Sequence, residues 1–311
     1  AFLISLKNLP CIKVTSNMYT EHYGLTHKPF NQVPDPKFLY LSPNHKKALT
    51  MLEYGVVSHA GFTVVTGEIG AGKTTLIRVL LNKIDDDCII GLINNTHESF
   101  GNLMEWVLDA LDIKSDSSDN AGRYRDYINF VVEKHAQGKR VILIIDEAQN
   151  LSVKALEELR LLSNVNIDAD IFLQLILTGQ PELKDKLNDP ALQQFAQRIG
   201  VEFHLQALDY RQTEKYITHR LKTAGAKDLI FTHEACAAIF CYSEGVPRRI
   251  NNLCDFALVY AFADDEKTIK INTILRMMKD KSSSRIIKPS NKVNPYVDSV
   301  KSLLKEKYNG L

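Results

Sequence analysis

One short stretch of this 311-residue chain, residues 61–75, constrains its fold more than any other. It has the sequence GFTVVTGEIGAGKTT. Residues 62–65 are apolar or β-branched, as in a buried strand, and apolar residues recur at helical spacing from Leu76 onward. Glycines, Lys73 and Thr74 lie between these segments. The pattern predicts a strand, a glycine-rich loop and a helix in direct succession.

The loop has the spacing Gly67-x-x-x-x-Gly72-Lys73-Thr74, which is typical of a phosphate-binding P-loop. Glycines let successive backbone N–H groups point at phosphate oxygens, and the following helix adds its positive N-terminal end. We expect Lys73 to reach the β- and γ-phosphates of ATP and Thr74 to bind Mg²⁺. An ordinary glycine turn is the alternative, which the strand–loop–helix context disfavours. The predicted nucleotide-binding residues are Gly67, Glu68, Ile69, Gly70, Ala71, Gly72, Lys73, Thr74 and Thr75.

A second motif, VILIIDEAQ at residues 141–149, has apolar strand residues that end in two acids. We expect Asp146 to hold Mg²⁺ and Glu147 to polarise the water that attacks the γ-phosphate. An ordinary strand with a polar turn is the alternative, but the P-loop upstream favours the catalytic interpretation. The second acid favours hydrolysis over nucleotide binding alone.

A third strand, within residues 171–183, ends in Thr178, Gly179 and Gln180. A polar side chain at this strand end is expected between the other two motifs, where it would sense the γ-phosphate or the water. The sequence does not decide between Thr178 and Gln180, and turn chemistry alone would also explain both residues.

Composition restricts the class of protein. The net charge of +1 points to neither nucleic acid nor an acidic partner, and no apolar run reaches the ~18 residues of a membrane span. The five cysteines lie far apart without a CxxC pair, as expected of a reduced cytosolic protein. We therefore expect a cytoplasmic protein, with peripheral attachment to the inner membrane as an alternative.

Strand-like segments alternate with amphipathic ones up to about residue 207, which predicts a parallel α/β sheet covered by helices on both faces. Later residues have helical periodicity without strong strands, which predicts a small helical lid domain. The expected strands are 61–66, 88–94, 141–145, 171–178 and 201–206. The expected divisions are an N-terminal extension or cloning remnant (1–17), the nucleotide-binding α/β domain (18–207), the lid (208–280) and a basic tail with a short helix (281–311).

The motifs, taken in order, resemble those of the ExeA-type (general secretion pathway protein A-like) family of AAA+ ATPases. The resemblance covers residues 18–263 and implies a P-loop AAA+ sheet with a C-terminal helical lid. The segments that carry it are YGLTHKPFNQVPDPKFLYLSPNHKKALTMLEYGV, GFTVVTGEIGAGKTTL, VILIIDEAQNL, LILTGQPEL, FAQRIGVEFHLQAL, YITHRLKTAG and GVPRRINNLCDFAL.

Further site residues are implied by the resemblance. Arg198 is similar to the arginine finger that enters a neighbouring subunit's ATP site, and a structural arginine is the alternative. Arg248 is similar to the sensor-2 arginine, which contacts the γ-phosphate from the lid. Tyr40 and His45 are candidates for a wall around the adenine, with a core role as the alternative.

The resemblance also implies a nucleotide-dependent homo-oligomer, a ring or filament, that works with envelope-assembly proteins. General secretion pathway protein A carries a membrane helix and a peptidoglycan-binding part after its ATPase. The 311 residues contain no such helix, so cell-envelope secretion, pilus biogenesis or polysaccharide export is expected rather than direct wall remodelling. The alternative is a DNA-associated regulator of the transposition type, which the near-neutral charge disfavours. A nucleotide-switched scaffold with little turnover is disfavoured by Glu147.

Overall fold

The protein is described by a computed structural model that covers residues 19–32, 35–85, 87–94, 102–164, 166–167 and 170–283. The expected extension (1–17) and nearly all of the expected tail (281–311), including its short helix, lie outside these residues. Contacts divide the chain into two compact units. We call them the sheet unit, which includes residues 35–212 and 244–249, and the helical unit.

Five parallel strands form the centre of the sheet unit. They are β1 (Phe62–Gly67), β2 (Cys88–Ile93), β3 (Arg140–Ile145), β4 (Leu173–Gly179) and β5 (Ile199–Leu205), in the spatial order β2-β3-β4-β1-β5. Each predicted strand lies within two residues of the observed one. Every residue of β1 and β4 is buried, as expected for strands covered on both faces.

Helices cover both faces of this sheet because alternate strand residues point to opposite sides. Val65, Ile142 and Ile144 pack in one core with α1 and α2. Val64, Leu143 and Leu175 pack in a second core with α3, α4 and α5. The helices of this unit are α1 (Pro43–Val57), α2 (Lys73–Leu81), α3 (Leu103–Ala110), α4 (Asn120–Ala136), α5 (Val153–Leu162), α6 (Pro181–Leu187) and α7 (Gln193–Ala196). Short 3₁₀ helices span Pro36–Phe38, Ala148–Asn150 and Pro190–Leu192, and Asn166–Ile167 pairs antiparallel with Asp170–Ile171.

The strand register determines which residues meet at the carboxyl edge of the sheet. Thr66 of β1 pairs with Gly179 of β4, and Ile145 of β3 pairs with Leu177. The residues that end these three strands therefore share one edge, where parallel sheets place their ligands.

The helical unit contains most of α8 (Tyr210–Thr223), α9 (His233–Ser243), α10 (Pro247–Ala263) from Ile250 onward, and α11 (Ile271–Ser283). Residues 19–32 pack with these helices, although the sequence placed them in the α/β domain. Buried Arg220 donates to the carbonyls of Pro29 and Asn31 at 2.6 and 3.2 Å, and the Tyr23 hydroxyl donates to the Glu266 carbonyl at 3.0 Å. The domain boundaries expected from sequence stay a prediction.

None of the helices in the part of the chain described above is long and apolar enough to cross a membrane.

Candidate active site

The loop between β1 and α2 has the backbone of an anion cradle. Gly70 and Gly72 have φ values of 80° and 106°, in the left-handed region that favours glycine. Gly72 is the N-cap of α2 and offers no side-chain acceptor, so no N-cap side chain occupies the first N–H groups of the helix. Phosphate oxygens are the natural acceptors for such groups.

Lys73 lies inside this loop and is only 5% exposed. Its Nζ donates to the carbonyls of Gly67 at 2.7 Å and Glu68 at 3.0 Å. Burial lowers the pKa of Lys73, and the nearby carboxylates of Glu147 and Asp146 oppose that shift. The ammonium is thus already held where the loop would enclose a phosphate.

Asp146, directly after β3, is buried and accepts three hydrogen bonds. Thr74 Oγ1 donates to Oδ2 at 2.6 Å. Thr178 Oγ1 and the backbone N–H of Glu147 donate to Oδ1, at 2.5 and 3.0 Å. The carboxylate therefore links the P-loop helix to the ends of β3 and β4.

The Thr74 hydroxyl and the Asp146 carboxylate fit Mg²⁺ by chemistry. Both offer hard oxygen donors, the type that Mg²⁺ prefers, and they lie within hydrogen-bond distance of each other beside the phosphate cradle. This shared contact is the observation that supports a metal position here.

Glu147 turns the chain sharply, with a φ of 55°. Its Oε2 accepts from Gln149 Nε2 at 2.7 Å and from Gln180 Nε2 at 3.2 Å. The two sensor candidates therefore contact different acids: Thr178 binds Asp146 and Gln180 binds Glu147. Sequence reasoning missed Gln149, although it lies two residues after Glu147 in the same motif.

Arg248 belongs by its contacts to the sheet unit, at the start of α10. Its backbone N–H donates to the Gly70 carbonyl at 3.2 Å, and its aliphatic carbons occupy the space where a Cβ on Gly70 would lie. Arg248 is exposed, and neighbouring Arg249 instead pairs with Glu244 at 2.7 Å. The structure thus brings Arg248 to the P-loop.

Arg198 lies elsewhere. It directly precedes β5, whose first residue, Ile199, pairs with Phe62 at the start of β1. At ~3.3 Å per residue, the length of β1 puts Arg198 roughly 16 Å or more from the P-loop of its own chain. Arg198 is exposed and donates to Ser163 Oγ at 3.1 Å.

His45 contacts the P-loop backbone. Its Nε2 lies 2.9 Å from the Ala71 carbonyl and its Nδ1 lies 2.8 Å from Ser42 Oγ. Because a carbonyl only accepts, Nε2 carries the proton and Nδ1 accepts from the hydroxyl. Burial lowers the pKa of His45, which favours this neutral form. Tyr40 is half-buried, and burial raises its pKa.

Fold and site together define the class of protein: the chain carries an AAA domain of the P-loop ATPase type. The family model described as AAA domain matches residues 56–187.

In sequence, the chain is 40% identical over 247 residues to general secretion pathway protein A of Aeromonas hydrophila. The match covers 79% of this chain and 45% of that relative, so the chain spans less than half of the relative's length. The predicted resemblance to the general secretion pathway protein A-like ATPases is confirmed.

Solved structures agree on the fold. Cdc6p from Pyrobaculum aerophilum superposes with a TM-score of 0.60 at 15% identity, over 90% of this chain and 89% of that one. The ORC2 protein of Aeropyrum pernix gives 0.59 at 17% identity, over 82% and 71%. These likenesses concern the fold alone, and they confirm the predicted P-loop sheet with a helical C-terminal region.

Proposed function

We propose that the protein binds ATP with Mg²⁺ and hydrolyses it at the carboxyl edge of the sheet. The observation that carries the proposal is the convergence of Lys73, Thr74, Asp146 and Glu147. These residues come from α2 and the end of β3. Hydrogen bonds through Asp146 connect Thr74 and Glu147, and Lys73 directly precedes Thr74 and donates to the loop carbonyls of Gly67 and Glu68.

Each group has a task in this proposal. The backbone N–H groups of residues 67–75 bind the phosphates. When ATP binds, the Lys73 ammonium donates its hydrogen bonds to phosphate oxygens in place of the loop carbonyls. Thr74 and Asp146 would hold Mg²⁺, which when bound neutralises phosphate charge and orients the nucleotide. Glu147 accepts a proton from the attacking water and orients it. Thr178 fixes Asp146, and Arg248 approaches the phosphates from its position on Gly70.

Two variants separate binding from hydrolysis. Glu147→Gln should leave ATP bound but reduce phosphate release by about 10²–10⁴-fold, the usual contribution of a general base. Lys73→Ala should weaken ATP binding itself, because it removes the charge inside the loop. Exposed residues supply matched controls: Glu133→Gln and Lys154→Ala should both behave like wild type. Undiminished turnover in purified Glu147→Gln protein would exclude Glu147 as the base.

We propose that the protein works as a homo-oligomer, a ring or filament, and the position of Arg198 supports this proposal. That residue is at the opposite edge of the sheet from the P-loop of its own chain, so any contact with ATP must be made in a neighbouring subunit. An arginine supplied in this way contributes roughly 10³–10⁵ in rate in other P-loop enzymes.

The name of the relative, general secretion pathway protein A, supports a role in secretion. Pilus assembly or polysaccharide export, with envelope-assembly proteins as partners, is part of the proposal on the family resemblance alone. In this proposal the ATPase works in the cytoplasm or at the inner membrane surface. Loss of Glu147 function in cells should then block export while the protein itself is still made, which a secretion assay on a Glu147→Gln strain measures.

DNA association is the second candidate. The composition from Lys267 onward favours it, with eleven Lys and Arg against three Asp and Glu. Duplex affinity measured with ATP at two salt concentrations decides between the two roles. Tight binding with a steep salt dependence would mean many phosphate contacts and would place DNA first.

A further inference from the structure

Gln149 lies in the 3₁₀ helix Ala148–Asn150, which begins directly after Glu147, the acid proposed as the base. Its side-chain amide makes two short hydrogen bonds, beside a longer one of 3.5 Å from Nε2 to Asn150 Oδ1. Nε2 donates to Glu147 Oε2 at 2.7 Å, and Oε1 accepts from the backbone N–H of Gln180 at 3.0 Å. One amide therefore connects the Glu147 carboxylate to the backbone at the end of β4.

The orientation of this amide is determined by its partners. The Gln180 backbone N–H can only donate, so it must face the amide oxygen. A carboxylate can only accept, so the amide nitrogen must face Glu147. A flipped amide would lose both hydrogen bonds.

The surroundings also fix the position of Gln149. A Cβ on Gly179 would lie 3.0 Å from Gln149 Oε1, so glycine leaves room for the amide there. Lys186 Nζ donates to the carbonyls of Gln149 and Leu151, at 2.6 and 2.5 Å, and holds the turn from α6. Side chain and backbone are thus both anchored.

Gln180 Nε2 donates to the same carboxylate oxygen at 3.2 Å. Two amides therefore hold Oε2 of Glu147. Lys73 of α2 is a cation close to Glu147, and the carboxylates of Asp146, Glu68 and Glu182 also lie near Lys73.

We propose that Gln149 is a positioning residue for ATP hydrolysis. This inference rests on the proposed role of Glu147 as the base. Gln149 holds the Glu147 carboxylate in one orientation relative to the end of β4. A group that accepts a proton from water must be held within a narrow geometry. Removing Gln149 should therefore slow turnover without changing how ATP binds.

Gln149→Met tests this because it keeps the length of the side chain but removes the N–H donor to Glu147 and the amide oxygen that accepts from Gln180. We expect kcat to fall about 10- to 100-fold, as for the loss of a hydrogen bond to a charged group, with KM and ATP affinity within about twofold of wild type. Exposed Gln193 provides the control, since Gln193→Met should leave kcat unchanged.

Gln149→Glu separates positioning from a general structural role. The new carboxylate can still accept from the Gln180 N–H but repels Glu147, and two adjacent acids compete for protons. The acid limb of the pH–rate profile should move to higher pH, whereas Gln193→Glu should leave it in place. Wild-type kcat in Gln149→Met together with a wild-type profile in Gln149→Glu would overturn the proposal.

A denaturation cycle tests the contact without relying on turnover. Glu147→Ala, Gln149→Met and the double variant are compared with wild type by their midpoints of unfolding in urea. Non-additive midpoints support the contact, and additive ones overturn it. If wild-type protein hydrolysed no ATP, the proposed function would fail, and this cycle would still decide whether Gln149 holds Glu147.

Discussion

Replacing Thr178 by valine tests the hydrogen bonds that hold Asp146. Thr178 is fully buried at the end of β4, and its Oγ1 donates to Asp146 Oδ1 at 2.5 Å. Valine has nearly the same shape, so the substitution removes the donor with little change in packing. Asp146 would keep its bonds from Thr74 and from the Glu147 N–H.

The magnitude follows from these contacts. A hydrogen bond to a charged group contributes ~1.5–3 kcal/mol. Burying a methyl group in place of the hydroxyl stabilises the folded protein by ~0.8 kcal/mol. The free energy of unfolding should therefore fall by about 1–2 kcal/mol. In an Asp146→Ala background, where Thr178 has lost this carboxylate, valine should be neutral or stabilising.

Urea denaturation without nucleotide measures both effects. The chain's one tryptophan, Trp106, lies in α3 and packs against the core of the sheet unit, so its fluorescence follows the unfolding of that unit. If Thr178→Val destabilised both backgrounds equally, the hydroxyl would not be holding Asp146 and the reasoning would be refuted.

Three further predictions concern His45, Gly70 and Arg198. Burial lowers the pKa of His45 in the folded protein, so the unfolded chain takes up a proton on this imidazole at a higher pH than the folded chain does. The free energy of unfolding should therefore fall as the pH drops below about 6.5, the ordinary pKa of histidine. His45→Gln should reduce this fall. Gly70→Ala should cost more stability than Gly138→Ala, because both glycines have positive φ but only the first has a neighbour in the Cβ position. Arg198→Ala and Lys73→Ala proteins, each inactive, should regain ATPase activity when mixed.

Each of these has a clear contrary result. An unchanged pH dependence in His45→Gln would mean that the imidazole does not titrate with unfolding. An equal loss of stability in the two glycine variants would mean that the Arg248 side chain moves aside with little loss of free energy. Failure to regain activity in mixtures shown to co-assemble, together with a specific activity that does not change on dilution, would leave Arg198 a structural residue.

The P-loop and the strand β3, which is followed by two acids, could be predicted from the sequence because both patterns depend on residues close together in the chain. The spacing of Gly67, Gly72 and Lys73 determines a loop whose backbone can enclose a phosphate, whatever the rest of the chain does. The run of apolar and β-branched residues before Gly67 and the apolar run before Asp146 likewise favour strands buried on both faces. These short-range constraints were sufficient for the fold class and for the place of the P-loop between β1 and α2.

Which polar side chain donates a hydrogen bond to which acid depends on the tertiary structure. Thr178 and Gln180 are equally plausible in sequence, and the pairing of β4 between β1 and β3 directs the first to Asp146 and the second to Glu147. Gln149 gains its role in the same way, since its two partners come from different strand ends.

The packing of the N-terminal segment was also decided at long range. Residues 19–32 resemble their family in sequence, yet nothing local indicates that Tyr23 and Pro29 contact residues more than 180 positions away. The strands, the P-loop and the two acids after β3 could be predicted from local sequence, because backbone conformation and burial depend largely on neighbouring residues. Which side chains meet across the fold depends on strand register and helix packing, which arise only when distant segments come together.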